Sequence, residues 1–179
     1  MKICAFTGHR PKSFPWKYDE TAPSCILLKE VLTTQIMELA DSGVTDWLSG
    51  MALGVDLWSA QVILTLREKN RALKLHCILP CENQESKWTA SMQKQYRTIL
   101  EQADDVAYVS RTYHRNCMLE RNRYLVDHSS VLLAVYNGVF RSGTGMTVRY
   151  AIERGRDVIC IDPLSRNVTY THRNGLQSV

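Results

Sequence analysis

The feature that most constrains the fold is an alternation. Six short β-rich runs, at residues 2–7, 46–49, 73–79, 105–109, 130–136 and 158–162, are separated by five longer stretches with helical character, at 25–42, 55–69, 88–103, 115–128 and 145–154. The first of these is the clearest: Ile26, Leu28, Val31, Leu32, Ile36 and Leu39 recur at helical spacing, and Gly43 ends the pattern. Parallel neighbours in a sheet need a crossover long enough to hold a helix. A chain that alternates in this way predicts a parallel sheet covered by helices on both faces. We therefore expect an α/β protein with a three-layer, Rossmann-like, doubly wound, mostly parallel sheet. The run at 130–136 is the most apolar and is expected in a buried central strand. The polar stretch 165–179 is expected to be a loosely ordered tail.

With 179 residues, the chain suits one domain spanning 1–179. It is 45% hydrophobic and 22% charged, enough to bury a core without covalent staples. The net charge of +4 favours anionic ligands but is small for a dedicated nucleic-acid binder, so a nucleic-acid partner is not expected. Met1-Lys2-Ile3-Cys4 leads directly into the first β-rich run, so no secretory leader is expected. The expected setting is therefore cytoplasmic, with the six cysteines as free thiols. Cys77 and Cys81 have no second Cys or His pair at zinc-site spacing, so no metal is expected, and no cofactor. No apolar stretch is long enough for a membrane span, so no membrane partner is expected.

In open α/β sheets ligands sit at the carboxyl ends of strands, which directs attention to four turns. The first, Thr7-Gly8-His9-Arg10-Pro11, offers a tight glycine turn, the Arg10 guanidinium for phosphate or carboxylate, and a His9 hydrogen bond. The second is Ser49-Gly50-Met51-Ala52-Leu53-Gly54-Val55-Asp56, in which Ser49, Gly50, Ala52 and Gly54 bring backbone amides to a helix start. Asp56 is either a helix-start carboxylate or a ligand for sugar hydroxyls and a candidate base. The turn lacks the spacing of the dinucleotide fingerprint and the Gly-Lys-Ser/Thr of a phosphate-binding loop. The third turn, Pro80-Cys81-Glu82-Asn83, carries Glu82 as a second candidate carboxylate. The fourth contains Asn137 and Gly138, then Ser142-Gly143-Thr144-Gly145-Met146-Thr147, with hydroxyls and small residues suited to a second anion cradle. Arg121 and Asn122, on the preceding helix, are candidates to reach the same crevice. Trp47 and Trp58 read as core; Trp16 and Trp88, near loop ends, are candidates to stack on a base.

Together these motifs carry a resemblance. Phe6-Thr7-Gly8-His9-Arg10-Pro11, Ser49 through Trp58, Glu120-Arg121-Asn122 with Leu125-Val126-Asp127, Ala134 through Gly138, and Ser142-Gly143-Thr144 with Thr147 through Ala151 are similar to the YpsA-like family of the SLOG superfamily of Rossmann-like proteins. The likeness runs from the first strand to about Pro163. The Ser49–Asp56 turn also resembles the Ser-Gly-x-Ala-x-Gly-Ile-Asp turn of the DprA family, and Ser142 through Ile161, with Glu153, Gly155 and Arg156, resembles a second DprA segment. The resemblance implies that these turns bind nucleotides or nucleotide derivatives. The related LOG phosphoribohydrolases use a Gly-Thr-x-x-Glu motif whose Glu serves catalysis; here Gly143-Thr144 is followed by Thr147 at that position.

Three functional expectations follow. The first is a sensor or processor that binds a nucleotide-like small molecule through Gly8, His9, Arg10, Ser49, Gly50, Ala52, Gly54, Asp56, Arg121, Asn122, Asn137, Ser142, Gly143, Thr144 and Thr147. The second is a nucleotide N-glycosidic hydrolase using Asp56 or Glu82, against which the missing motif Glu counts. The third and weakest is DprA-like binding of single-stranded DNA. A homo-oligomer is expected from the habit of small Rossmann-like domains to pair.

Overall fold

The computed structural model describes residues 2–171. In chain order the elements are β1 (Lys2–Gly8), α1 (Pro23–Asp41), β2 (Val44–Ser49), α2 (Val55–Arg67), β3 (Lys74–Leu79), α3 (Ala90–Gln102), β4 (Asp105–Tyr108), α4 (Cys117–Asp127), β5 (Val131–Val135), α5 (Gly143–Glu153), β6 (Asp157–Ile161) and β7 (Val168–Thr171). A short 3-10 turn, Pro11–Ser13, follows β1. The seven strands form one sheet in the order β4-β3-β2-β1-β5-β6-β7. All pairings are parallel except that of β7 with β6. The fold is the expected α/β, Rossmann-like, three-layer arrangement.

Period-two side-chain alternation feeds two cores. In β1, Cys4 and Phe6 enter the layer built with Leu28 and Ile36 of α1, Trp58 and Ile63 of α2, and Ile99 of α3, whereas Ala5 enters the opposite layer with Leu125 and Val126 of α4 and Val148 and Ala151 of α5. β5 divides likewise, with Val131, Leu133 and Val135 on one side and Leu132 and Ala134 on the other. All five β5 residues are buried, which is why the segment reads as a continuous apolar run. Burying each such Val or Leu side chain contributes about 1.5–3 kcal/mol before conformational entropy is set against it.

Local chemistry places the element ends. α5 starts two residues before the expected position because Ser142 Oγ accepts the Gly145 N–H at 2.9 Å and serves as N-cap. Thr89 does the same for α3, accepting from Met92 N at 3.3 Å. The stretch 165–171, expected to belong to a loosely ordered tail, is instead ordered. Asp162 Oδ1 accepts the N–H groups of Leu164 and Ser165 at 3.0 and 2.7 Å, closing a turn that brings the chain back as β7 beside β6. The Tyr170 hydroxyl donates to Gln35 Oε1 at 2.9 Å, tying β7 to α1. Residues 172–179 of that tail lie outside the described residues.

The strand order positions the site. The chain moves outward from β1 through β2 and β3 to β4, then returns to lay β5 on the other side of β1. The order therefore reverses between β1 and β5, and a crevice opens there at the carboxyl ends of the strands. Among the described residues, no helix is long and apolar enough to cross a membrane.

Candidate ligand-binding crevice

The crevice begins where β1 ends. Gly8 lies against α2: a Cβ built on it would stand 2.4–2.8 Å from the Val55 side chain, so only glycine lets the start of α2 pack onto the strand end. His9 follows and is buried. Its Nε2 lies 2.7 Å from Asn137 Oδ1 and 3.3 Å from the Asn137 backbone N, and that Oδ1 also accepts the Val139 N–H at 3.2 Å. His9 and Asn137 thus link the turns after β1 and β5 across the switch point. Burial pushes the His9 pKa below its ordinary value, with the Asn137 hydrogen bond acting in the opposite sense.

The second turn is organised around its own carboxylate. Gly54 has φ +91° and Met51 φ +56°, so the loop makes two left-handed excursions before α2. Asp56, in the first turn of α2, accepts the Ala52 N–H on Oδ2 at 3.2 Å, and Ser49 Oγ donates to the Asp56 carbonyl at 3.1 Å and accepts from Met51 N at 3.1 Å. The Asp56 carboxylate thus takes the Ala52 amide, one of the loop groups expected to face an external anion. Arg121 of α4 completes the arrangement. Its Nη1 reaches Asp56 Oδ2 at 3.2 Å, with the two side chains 5% and 7% exposed. To get there the guanidinium passes over Gly50, where a Cβ would lie 1.2 Å from Nη1. Burial pushes the Asp56 pKa up and that of Arg121 down, and in each case the partner's charge opposes the shift.

The third wall is the start of α5. Ser142 Oγ donates to Val139 O at 2.8 Å while capping Gly145. The first-turn N–H groups of Gly143 and Thr144 have no intrahelical acceptor, so this helix start has donors to spare. Thr147 is buried rather than facing the crevice; its Oγ1 donates to Gly143 O at 2.9 Å and accepts from Asn122 Nδ2 at 3.0 Å.

Between these walls lies a cleft of ≈ 320 Å³. Gly8, His9, Arg10, Ala52, Asp56, Arg121, Asn122, Ser142, Gly143 and Thr144 line it, together with Thr7, Lys12, Ser13 and Met118. Ser49, Gly50 and Gly54 shape the wall from behind, and Asn137 acts through His9. Arg10 is exposed, with Nη2 3.9 Å from Met118 Sδ. Lys12 and Ser13 were not among the sequence candidates; their signal was position alone, directly after Arg10-Pro11. Glu82 is exposed on the turn after β3 and does not line the cleft. Trp47 and Trp58 are core, as expected. Trp16 is stacked on Phe14 (centroids 4.9 Å apart) and Trp88 packs edge-on against Tyr96 (5.3 Å), so both rings already have protein partners. Among the described residues no group of three or more His, Cys, Asp and Glu side chains is placed to hold a metal ion, and all six cysteines are free.

These turns belong to a pattern shared with known proteins. A model of the YpsA family, described as the YspA SLOG family, matches residues 4–157, from β1 to the start of β6. The chain belongs to the YspA SLOG family. Within it, a UPF0398 protein of Bacillus pumilus is 34% identical over 140 residues, covering 76% of this chain and 74% of the relative. A UPF0398 protein of Halalkalibacterium halodurans is 32% identical, covering 76% and 73%. The UPF0398 protein YpsA of Bacillus subtilis is 30% identical, covering 76% and 77%. The SLOG match contains every residue of the crevice described above.

Proposed function

We propose that this SLOG protein binds a nucleotide or nucleotide-derived ligand in the crevice above β1 and β5, as its sensor or processor. The observation that carries this reading is convergence. Arg10, Lys12, the buried Arg121 and the donor-rich start of α5 border one cleft, and the single carboxylate lining it, Asp56, is already paired with Arg121. Such a site has a net preference for an anion, with the forked guanidinium of Arg10 and backbone N–H groups suited to phosphate oxygens. The cleft is within the size range of small-molecule sites. A thermal-shift screen against nucleoside mono- and diphosphates, ADP-ribose and sugar nucleotides tests it. Stabilisation by at least one of these in the wild type, lost in Arg10→Ala, supports binding; no stabilisation by any of them overturns it.

A second reading, hydrolysis of a nucleotide N-glycosidic bond, rests on Asp56, a cleft carboxylate whose pKa burial raises. Its Oδ2 is held by Ala52 and Arg121, leaving Oδ1 for oxocarbenium stabilisation or activation of water. Release of free base from AMP by the wild type and not by Asp56→Asn is the result this reading requires.

A further inference from the structure

The crevice does not end at the start of α5. In a βαβ sheet of this kind α4 and α5 both run antiparallel to the strands, so both begin at the crevice and lie side by side beneath it. Between them runs a shallow groove of ≈ 160 Å³, whose walls include Arg123 and Asn122 of α4 and Met146, Arg149 and Tyr150 of α5. Asn122 lines the cleft and the groove, so the two spaces share a wall residue. The Asn122–Thr147 hydrogen bond, 3.0 Å, braces the two helices at that junction.

The groove's chemistry differs from that of an ordinary helix–helix surface. Arg123 and Arg149 make no carboxylate ion pair among the described residues. Each instead lies over an aromatic ring: Arg123 is 5.7 Å from the centroid of Tyr150 and Arg149 is 3.8 Å from that of Phe140. Arg149 Nη1 also donates to Phe140 O at 2.7 Å, which fixes the guanidinium at the groove's edge. Phe140 is 65% exposed and Met146 46%. Cations without a carboxylate partner beside aromatic rings, one of them the exposed Phe140, are what a phosphodiester and its bases meet in single-strand sites. The helical rise from Thr144 in the cleft to Tyr150 in the groove is about 9 Å, too far for one phosphate to engage both ends.

The geometry points to a second subsite in the α4–α5 groove, so that the ligand is a dinucleotide whose first phosphate sits at the start of α5 and whose second nucleotide unit runs past Asn122 to Arg123 and Arg149. The assignment rests on the nucleotide reading of the cleft. Glu153, at the far wall of the groove, repels an additional anion there and so favours a ligand of two units over a long strand.

The test is calorimetric titration of AMP and of the 5′-phosphorylated linear dinucleotide pApA into wild type, Arg123→Glu and Arg149→Ala. The expected result is pApA binding at least about tenfold tighter than AMP, an advantage lost in Arg123→Glu while AMP affinity stays within about twofold. Arg123 is exposed and unpaired, so its reversal leaves the fold intact, and retained AMP binding verifies that in the same experiment. Arg149→Ala gives the same selective loss. If AMP binds and pApA binds no tighter, or if both variants leave pApA affinity unchanged, the groove is not a subsite while the cleft reading stands. If neither compound binds, the dinucleotide subsite falls, and the wider thermal-shift panel alone decides the cleft reading.

Discussion

Arg121 of α4 places Nη1 3.2 Å from Oδ2 of Asp56 on α2, although the two helices lie on opposite faces of the sheet. The ion pair therefore passes over the carboxyl edge of the sheet and fastens the two helical layers together at the back of the crevice. Removing the cation leaves a buried carboxylate with the Ala52 N–H as its remaining partner. Arg121→Met is expected to lower the unfolding free energy by about 3–5 kcal/mol, measured by urea titration. Asp56→Asn, which keeps the shape and a hydrogen-bonding group, should cost less. Equal stability of wild type and Arg121→Met would show that the pair does not hold the layers.

Gly50 is the condition for that reach. A methyl group there would overlap the guanidinium, so Gly50→Ala must displace Arg121. A loss of about 1–3 kcal/mol is expected, as for overpacking elsewhere, and it should vanish largely in the Arg121→Met background because the clashing group has gone. A double-mutant cycle reads this directly; additive losses would mean that Gly50 matters for some other reason.

The fold was legible because its signals are local and repeated: glycine or proline within two residues of the end of five of the six β-rich runs, apolar spacing between runs. The crevice turns were legible because a strand end can be read from sequence. What could not be read depends on which strands become neighbours. Glu82 follows a strand end as Thr7 and Ser49 do, but β3 lies two positions from β1, about 10 Å away across the sheet, so its turn cannot reach the switch point. Arg121 read as a candidate to reach the crevice, but its pairing with Asp56 did not, since the gap above Gly50 exists only once β2 and α4 are assembled. Strand β7 was hidden because its polar residues pair at an edge and bury little.

His9 makes the crevice sensitive to pH. The folded state holds the ring neutral below its ordinary value of 6.5, whereas the unfolded chain takes up a proton near that value. The unfolded state then binds more protons, so stability falls as the pH drops from about 6.5 towards the lower folded value, and levels off beneath it. Thermal midpoints from pH 8 to pH 5 should show this decline in wild type, and a smaller one in His9→Gln, which keeps a hydrogen-bonding group for Asn137. Identical profiles would remove His9 as the cause.

Ser142 does two things at once, capping α5 and closing the loop through Val139 O. Ser142→Ala should cost about 1 kcal/mol in stability. It should also weaken nucleotide binding, because the first turn of α5 frays at the proposed phosphate position. A stability loss with unchanged affinity for the compound found in the thermal-shift screen would separate the cap from the binding site.

The most direct test of the central claim is a crystal structure of the protein grown with AMP. The account predicts the phosphate against the N–H groups of Gly143 and Thr144, within reach of Arg10, with Arg121 still paired to Asp56 behind it. AMP bound elsewhere, as in the ≈ 380 Å³ groove between α1 and α2 lined by Lys29 and Trp58, with the crevice at the β1–β5 switch point unfilled, would contradict it.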